Sequence, residues 1–259
     1  MSYETLLVEK KENKVATITL NRPDKLNTFN LTLANELNQA LWALDSDRDV
    51  RVIVIKGAGK AFCAGIDVAD FFDKNAMEYR EWVECMERPL VSISKLKKPV
   101  IAQVHGVAVA NGMGLVAACD LAIAADNARM GLTAINVGLN CVGPVVAVRR
   151  SIGRKRALEL LFFGDLVNAQ QAFDMGLINR VVSADKLEDE AQAWAAKLAE
   201  KSPIALQLAK TGFYTAEDMD YYRAFEYMNE VFTRLCCTED AKEGVKAFLE
   251  KRKPEWKEK

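Results

Sequence analysis

One histidine, His105, stands in a chain of 259 residues, and that scarcity removes much chemistry at once. A Ser-His-Asp hydrolase would have to use His105 itself as the base. It follows an apolar run and precedes Gly106, a position that predicts a packed or hydrogen-bonded turn residue instead. The six cysteines, Cys63, Cys85, Cys119, Cys141, Cys236 and Cys237, include no Cys-x-x-Cys pair, so the clustered ligands of a zinc site are missing and no metal is expected. Most of these thiols read as small buried hydrophobes in a reducing compartment. Charge of one sign is also missing: 35 basic against 36 acidic residues leave a formal −1 with no basic stripe, so neither nucleic acid nor an anionic membrane surface is an expected partner. No apolar run approaches the roughly 18 residues of a membrane span. Glu9, Lys10, Lys11 and Glu12 interrupt any signal-peptide pattern in Met1–Lys14, and the expected location is the cytoplasm.

What is present is core-forming. Half the residues are hydrophobic, enough to bury one large core at this length. Leu6–Glu9 and Val15–Leu20 read as strands around a polar turn. Asn21–Asn27 must be a loop, because Pro23 fixes φ and removes a donor. Leu33, Leu37, Ala40, Leu41 and Leu44 place a helix over Leu31–Leu44. Arg51–Ile55 reads as a strand, and Met77–Leu96 as a helix that Pro89 ends or kinks. Val100–Val104 is a short β-branched run with the character of a buried strand. A glycine-rich turn follows it, and Gly112–Cys119 reads as the start of a buried helix. Ile123–Ala125 and Ile178–Val182 read as strands, and Ala134–Val137 as an extended piece. Helices are expected at Gly153–Phe163, Ala169–Met175, Leu187–Glu200, from Pro203 to about Lys210, over Asp218–Leu235, and after a Thr238 cap. The alternation predicts an α/β fold of repeated β-β-α units, residues 1–200, followed by a helical region, residues 201–259.

The turn before Gly112 carries the chemistry. N–H groups at such a junction point outward unpaired, and the helix dipole adds positive partial charge, which suits an anion or an oxygen becoming one. Around it lie LNRPDKLN (Leu20–Asn27), KAFCAGID (Lys60–Asp67), KPVIAQVHGVAVANGMGLVAACDLAIAADNARMGLTAINVGLNCVG (Lys98–Gly143), GRKRALELLFFGD (Gly153–Asp165), AFDMGLINRVV (Ala172–Val182) and AFLEKRKPEW (Ala247–Trp256). Together and in this order they resemble the crotonase, or enoyl-CoA hydratase/isomerase, superfamily over nearly the whole chain. Asn-Val-Gly-Leu followed by a non-acidic loop, Phe213-Tyr214 and the terminal motif resemble the subgroup of enoyl-CoA hydratase domain-containing protein 3.

The resemblance implies a spiral core of β-β-α units and a C-terminal helical region that builds homotrimers or dimers of trimers and covers the coenzyme A pocket. It implies a lyase or isomerase of fatty acid metabolism acting on acyl-CoA thioesters, with coenzyme A arriving as part of the substrate and no separate cofactor. The N–H groups of Ile66 and Asn111 are the implied oxyanion hole for a thioester enolate, each donor worth about 3–4 kcal/mol. Ala64, Gly65 and Gly112 shape that path. Lys25 and Leu26 are implied along the coenzyme A chain, and Phe248 and Lys251 near the nucleotide from an adjoining subunit. The pattern breaks at the catalytic carboxylates: Gly114 and Ala134 stand where the family carries two glutamates, and neither titrates. Val142 stands where a dienoyl-CoA isomerase-like or dehalogenase-like member would have aspartate. Asn140, as a water- or acyl-orienting group, and Cys141, as a nucleophile, are weak substitutes, and Asp67 reads as structural. Two readings stay open: an enzyme of hydratase/isomerase type, or an acyl-CoA-binding protein with little turnover. If only the acids are missing, Gly114→Glu with Ala134→Glu is expected to raise crotonyl-CoA hydration.

Overall fold

Strands with both faces buried set the architecture. The computed structural model describes residues 2–259. In chain order the elements are β1 (Leu6–Lys10), β2 (Val15–Leu20), α1 (Leu31–Ser46), β3 (Val52–Gly57), α2 (Ala76–Ile93), β4 (Val100–Val104), β5 (Val107–Val109), α3 (Asn111–Ala118), β6 (Leu121–Ala125), β7 (Arg129–Gly131), α4 (Pro144–Phe163), β8 (Val167–Asn168), α5 (Ala169–Asp174), β9 (Arg180–Val182), α6 (Leu187–Ala199), α7 (Pro203–Ala216), α8 (Tyr221–Cys236) and α9 (Glu239–Leu249).

The main sheet runs β1-β2-β3-β4-β6-β9, antiparallel at its first pair and parallel thereafter. Parallel strands need cover on both faces, and the alternation within each strand supplies it. Val52 and Val54 join Leu187, Ala191, Ala195 and Ala199 of α6 on one side. Ile53 and Ile55 join Leu33, Leu37 and Leu41 of α1 in the larger core on the other. A second, three-stranded sheet, β5-β7-β8, lies outside it.

Three expectations need correction, and short strands are added. Pro89 does not end its helix: α2 runs through it to Ile93. Burial of Pro89, Leu90 and Ile93 against the core offsets the roughly 3 kcal/mol that an internal proline costs. Thr133–Val137 is a 3-10 turn rather than extended, closed by Leu139 N–H donating to Ala134 O and ended by Gly138 in the left-handed region. The helix expected from Gly153 begins at Pro144, and Gly153 (φ 76°, ψ 170°) is instead a break between its two halves. The short strands β5 and β7 come as additions; they depend on each other's hydrogen bonds more than on local propensity.

The helical C-terminal third is tied to the sheet at one buried charge. Lys210 Nζ donates to Asp120 Oδ2 (2.6 Å) and to Lys98 O (2.9 Å). Tyr214 Oη donates to Asp120 Oδ1 and Val100 N–H to Asp120 Oδ2. Burial pushes the Asp120 carboxyl up while Lys210 pulls it back down.

Candidate active site

The site is built where two loops touch. Residues 63–67 leave β3 and run beside the loop that enters α3. Cys63 N–H donates to Val107 O, and Val109 N–H donates to Cys63 O. Glycine is required at both crossings. A Cβ on Gly112 would lie 2.2 Å from Cys63 O, and one on Gly65 would lie 3.0 Å from Ala110 Cβ. Gly65 has φ +100°, and Ala110, just before α3, is held at φ 48°, ψ −116°, a conformation that costs an L-residue about 1–3 kcal/mol. Its N–H is fixed on Gly131 O.

Many backbone groups around this crossing are paired. Ala64 N–H donates to Leu26 O, Phe29 N–H to Gly65 O and Asp67 N–H to Phe29 O. The N–H groups of Gly65, Ile66, Asn111 and Gly112 have no acceptor among the described residues. Asn111 is the first residue of α3, so its N–H adds the helix's positive end to the place. Met86 O accepts from Asn111 Nδ2 at 3.4 Å, fixing the side chain away on α2.

The 22–28 loop is pinned to the same place. Ala64 and Leu26 share the hydrogen bond already given, and Leu26 and Asn27 are both left-handed (φ 49° and 56°). Asn27 is fully buried and donates to Ala58 O and Ala61 O while its Oδ1 accepts from Arg22 N–H. Arg22 donates to Asp67 Oδ2, and that guanidinium holds the Asp67 carboxyl below the usual range. Leu26 thus borders Ala64 directly, and Lys25 lies near enough to Asp67 to act on its charge. Phe248 and Lys251 do not join them within one chain: they sit at the end of α9, which packs on α7 and α8, and Phe248 is 80% exposed. His105 faces away, its Nε2 3.0 Å from Gly59 O.

The positions lacking carboxylates differ in a way the residues alone did not foretell. Over Gly114 there is no room for a side chain: a Cβ would meet Pro144 Cβ at 2.8 Å, Leu90 Cδ2 at 2.9 Å and Pro144 Cα at 3.0 Å. The expectation that Gly114→Glu restores an acid therefore meets a filled space. Ala134 is half-buried in the 3-10 turn against the core. Asn140 is exposed in the loop before α4. Cys141 is buried, and burial pushes its thiol up, opposite to what a nucleophile needs at neutral pH.

Two features went unread in the sequence. Asn27 ties three loop segments together, and its only signal was its place at the end of LNRPDKLN. Glu87 of α2 lies against Gly143, directly before Pro144, with no hydrogen bond or cation among the described residues; nothing distinguishes it in sequence from the other glutamates of an amphipathic helix.

A sheet-and-helix core with an unpaired N–H on each of two touching loops defines the class, and comparison with known proteins agrees. The family model described as enoyl-CoA hydratase/isomerase matches residues 10–259. The chain is 36% identical over 255 residues to a crotonyl-CoA hydratase of Syntrophomonas wolfei, covering 98% of each. It is 33% identical to the mitochondrial enoyl-CoA hydratase domain-containing protein 3 of Xenopus laevis, covering 99% of this chain and 87% of that one. An enoyl-CoA hydratase from Mycobacterium smegmatis superposes with TM-score 0.94 at 40% identity, covering 97% and 98%. The human domain-containing protein 3 superposes with TM-score 0.94 at 33% identity, covering 98% and 100%. The chain belongs to the enoyl-CoA hydratase/isomerase family.

Proposed function

We propose that the protein is an acyl-CoA thioester enzyme of hydratase/isomerase type that stabilises a thioester enolate between the N–H groups of Ile66 and Asn111. The observation that carries this is the pairing pattern: each N–H lacks an acceptor on a loop otherwise tied down by Ala64, Asp67 and Ala110 N–H bonds, and the loops meet at Gly65 and Ala110. Two preorganised donors aimed at an oxygen that gains charge supply most of what enolate chemistry requires, about 3–4 kcal/mol apiece. The thioester carbonyl enters over Gly65, with Lys25 and Leu26 along the coenzyme A chain. Phe248 and Lys251 reach the nucleotide from a neighbouring copy in a homotrimer or dimer of trimers. The proposed location is the cytoplasm. Separately, among the described residues no helix is long and apolar enough to cross a membrane.

A second reading is favoured by Gly114: with its side-chain space filled by Leu90 and Pro144, and with Ala134 beyond it, the usual acids are gone. That reading is an acyl-CoA-binding protein with little turnover. Calorimetry and turnover assays on one panel of saturated and unsaturated acyl-CoAs separate the two. Binding together with turnover on any member supports the enzyme. Binding with no reaction on any of them leaves the second reading, and absence of binding sinks both. Gly65→Ala, which pushes a methyl toward Ala110, should weaken thioester binding by about tenfold or more, roughly 1.4 kcal/mol.

A further inference from the structure

We infer that Glu87 of α2 is the acid–base carboxylate of this thioester site, presented from a different helix in place of the carboxylates absent at positions 114 and 134. The inference rests on the enolate reading above and adds the group that moves the proton.

Three placements carry it. First, α2 runs alongside the entrance to α3. Met86 O accepts from Asn111 Nδ2, and one turn on, Leu90 Cδ2 lies over Gly114. Glu87 belongs to that turn, level with the stretch of α3 from which the family's first glutamate would project. Second, its carboxylate lies on bare backbone. A Cβ at Gly143 would fall 1.5 Å from Glu87 Oε1 and 2.8 Å from Oε2, so glycine there is what admits the side chain. The next residue, Pro144, is the one that fills the space over Gly114. The filled space over Gly114 and the seat of the Glu87 carboxylate thus belong to one short segment, Gly143-Pro144. Third, Glu87 is half-buried, with no hydrogen-bond donor or cation among the described residues, on a cavity of about 580 Å³ that runs from Gly143 to the C-terminal end of α3. A carboxylate left so exposed to desolvation without a partner calls for a functional explanation.

Burial, and then the nearby charge of Glu84, push the Glu87 carboxyl up, the direction that favours proton exchange. The other charged groups lining this cavity are already engaged. Asp120 at the end of α3 is held by Lys210, and Arg150 on α4 pairs with Glu217 and Asp218 at the end of α7. Tyr214 donates to Asp120.

The step balances within the site. The α-carbon C–H bond of the thioester breaks, its electron pair moves onto the carbonyl oxygen held by the Ile66 and Asn111 N–H groups, and the proton forms an O–H bond on Glu87. Return of that proton to the α-carbon gives exchange. Its return to the γ-carbon of a β,γ-unsaturated chain moves the double bond into conjugation. One carboxylate suffices for both halves, whereas addition of water needs an acid and a base.

The test follows deuterium entering the α-carbon of butyryl-CoA in D2O by mass spectrometry, with thioester affinity measured by calorimetry on the same samples. Wild type is expected to bind and to exchange. Glu87→Gln should bind within a few-fold and exchange about 100-fold or more slowly. Glu87→Asp should recover part of the rate, and Gly143→Ala should lose it by displacing the carboxylate. Glu84→Gln should keep the rate but move the rising limb of its pH profile to lower pH, which a merely structural glutamate would not cause. Exchange at the wild-type rate in a folded Glu87→Gln variant overturns the inference. So does wild-type binding with no exchange, which leaves the binding half of the function standing. Failure of wild type to bind any thioester overturns both.

Discussion

Arg22 Nη2 and Asp67 Oδ2 meet at 2.9 Å and close the 22–28 loop onto the residue directly after Ile66. Asp67 also accepts from Ala69 N–H, so one carboxylate orients the chain on both sides of that amide. Its depressed pKa gives the sign of the pH dependence. The tie is complete above the ordinary aspartate pKa, near 3.9, and is lost as pH falls through the lower folded value. Asp67→Asn should therefore weaken acyl-CoA binding at pH 7 by severalfold and flatten the loss of affinity below about pH 4. Calorimetry across that range checks it; an unchanged wild-type-like acid limb in the variant contradicts it.

Gly114→Glu should not create a hydratase. The new side chain must displace Leu90 or the Pro144 backbone, and such overpacking costs about 1–3 kcal/mol. The expected outcome is a lower melting temperature and no gain in crotonyl-CoA hydration, alone or with Ala134→Glu. A stable variant with raised hydration would show that α4 can retreat from α3.

The exposed face of α8 predicts self-association. Tyr221, Phe225 and Phe232 are 71%, 57% and 65% exposed, and they follow one another along a single helix. Bare aromatic surface of that extent marks a protein contact. The chain is expected to sediment as an oligomer, and Phe225→Glu with Phe232→Glu to sediment as a monomer, with the far-ultraviolet circular dichroism unchanged. An unaltered sedimentation coefficient would place the contact elsewhere.

Lys210→Met should be among the most damaging single changes in the C-terminal third. Lys210 and Asp120 keep 6% and 16% of their side chains exposed, and orphaning one partner of a buried pair costs about 3–5 kcal/mol. Without Lys210 only the Val100 and Tyr214 hydrogen bonds oppose burial at Asp120, and its already raised folded pKa rises further. A raised carboxyl binds its proton more tightly in the folded state, so the variant's deficit should shrink as pH falls. Denaturant titrations at neutral and acidic pH measure this, and a deficit that grows on acidification would refute it.

The elements legible in the sequence were those whose pattern is local. α1 follows from its leucine spacing and β4 from five consecutive buried residues. Thr238 caps its helix through its own side chain, as its place in the sequence indicates, whereas the Asn75 and Asn168 caps went unread. Gly65 and Gly112 were informative for the same reason, because close approach leaves a glycine behind. What was illegible depends on partners distant along the chain. β5 and β7 have three residues each and exist through their mutual pairing. Pro89 stays helical because its surroundings are buried. That Gly114 is sealed by Leu90 and Pro144, and that Glu87 lies on Gly143, follows only once α2, α3 and α4 are packed.

The Asp120 carboxylate has a consequence for synthesis. It is buried in the central sheet region, yet the lysine that compensates it lies 90 positions further along the chain. A nascent chain that has emerged only as far as α6 holds an acid it can either protonate or leave in water. Closure of the strand layer around Val100 and Asp120 is thereby deferred until Lys210 clears the ribosome, and a fragment ending before that residue should remain loosely packed however many of its own strands have formed.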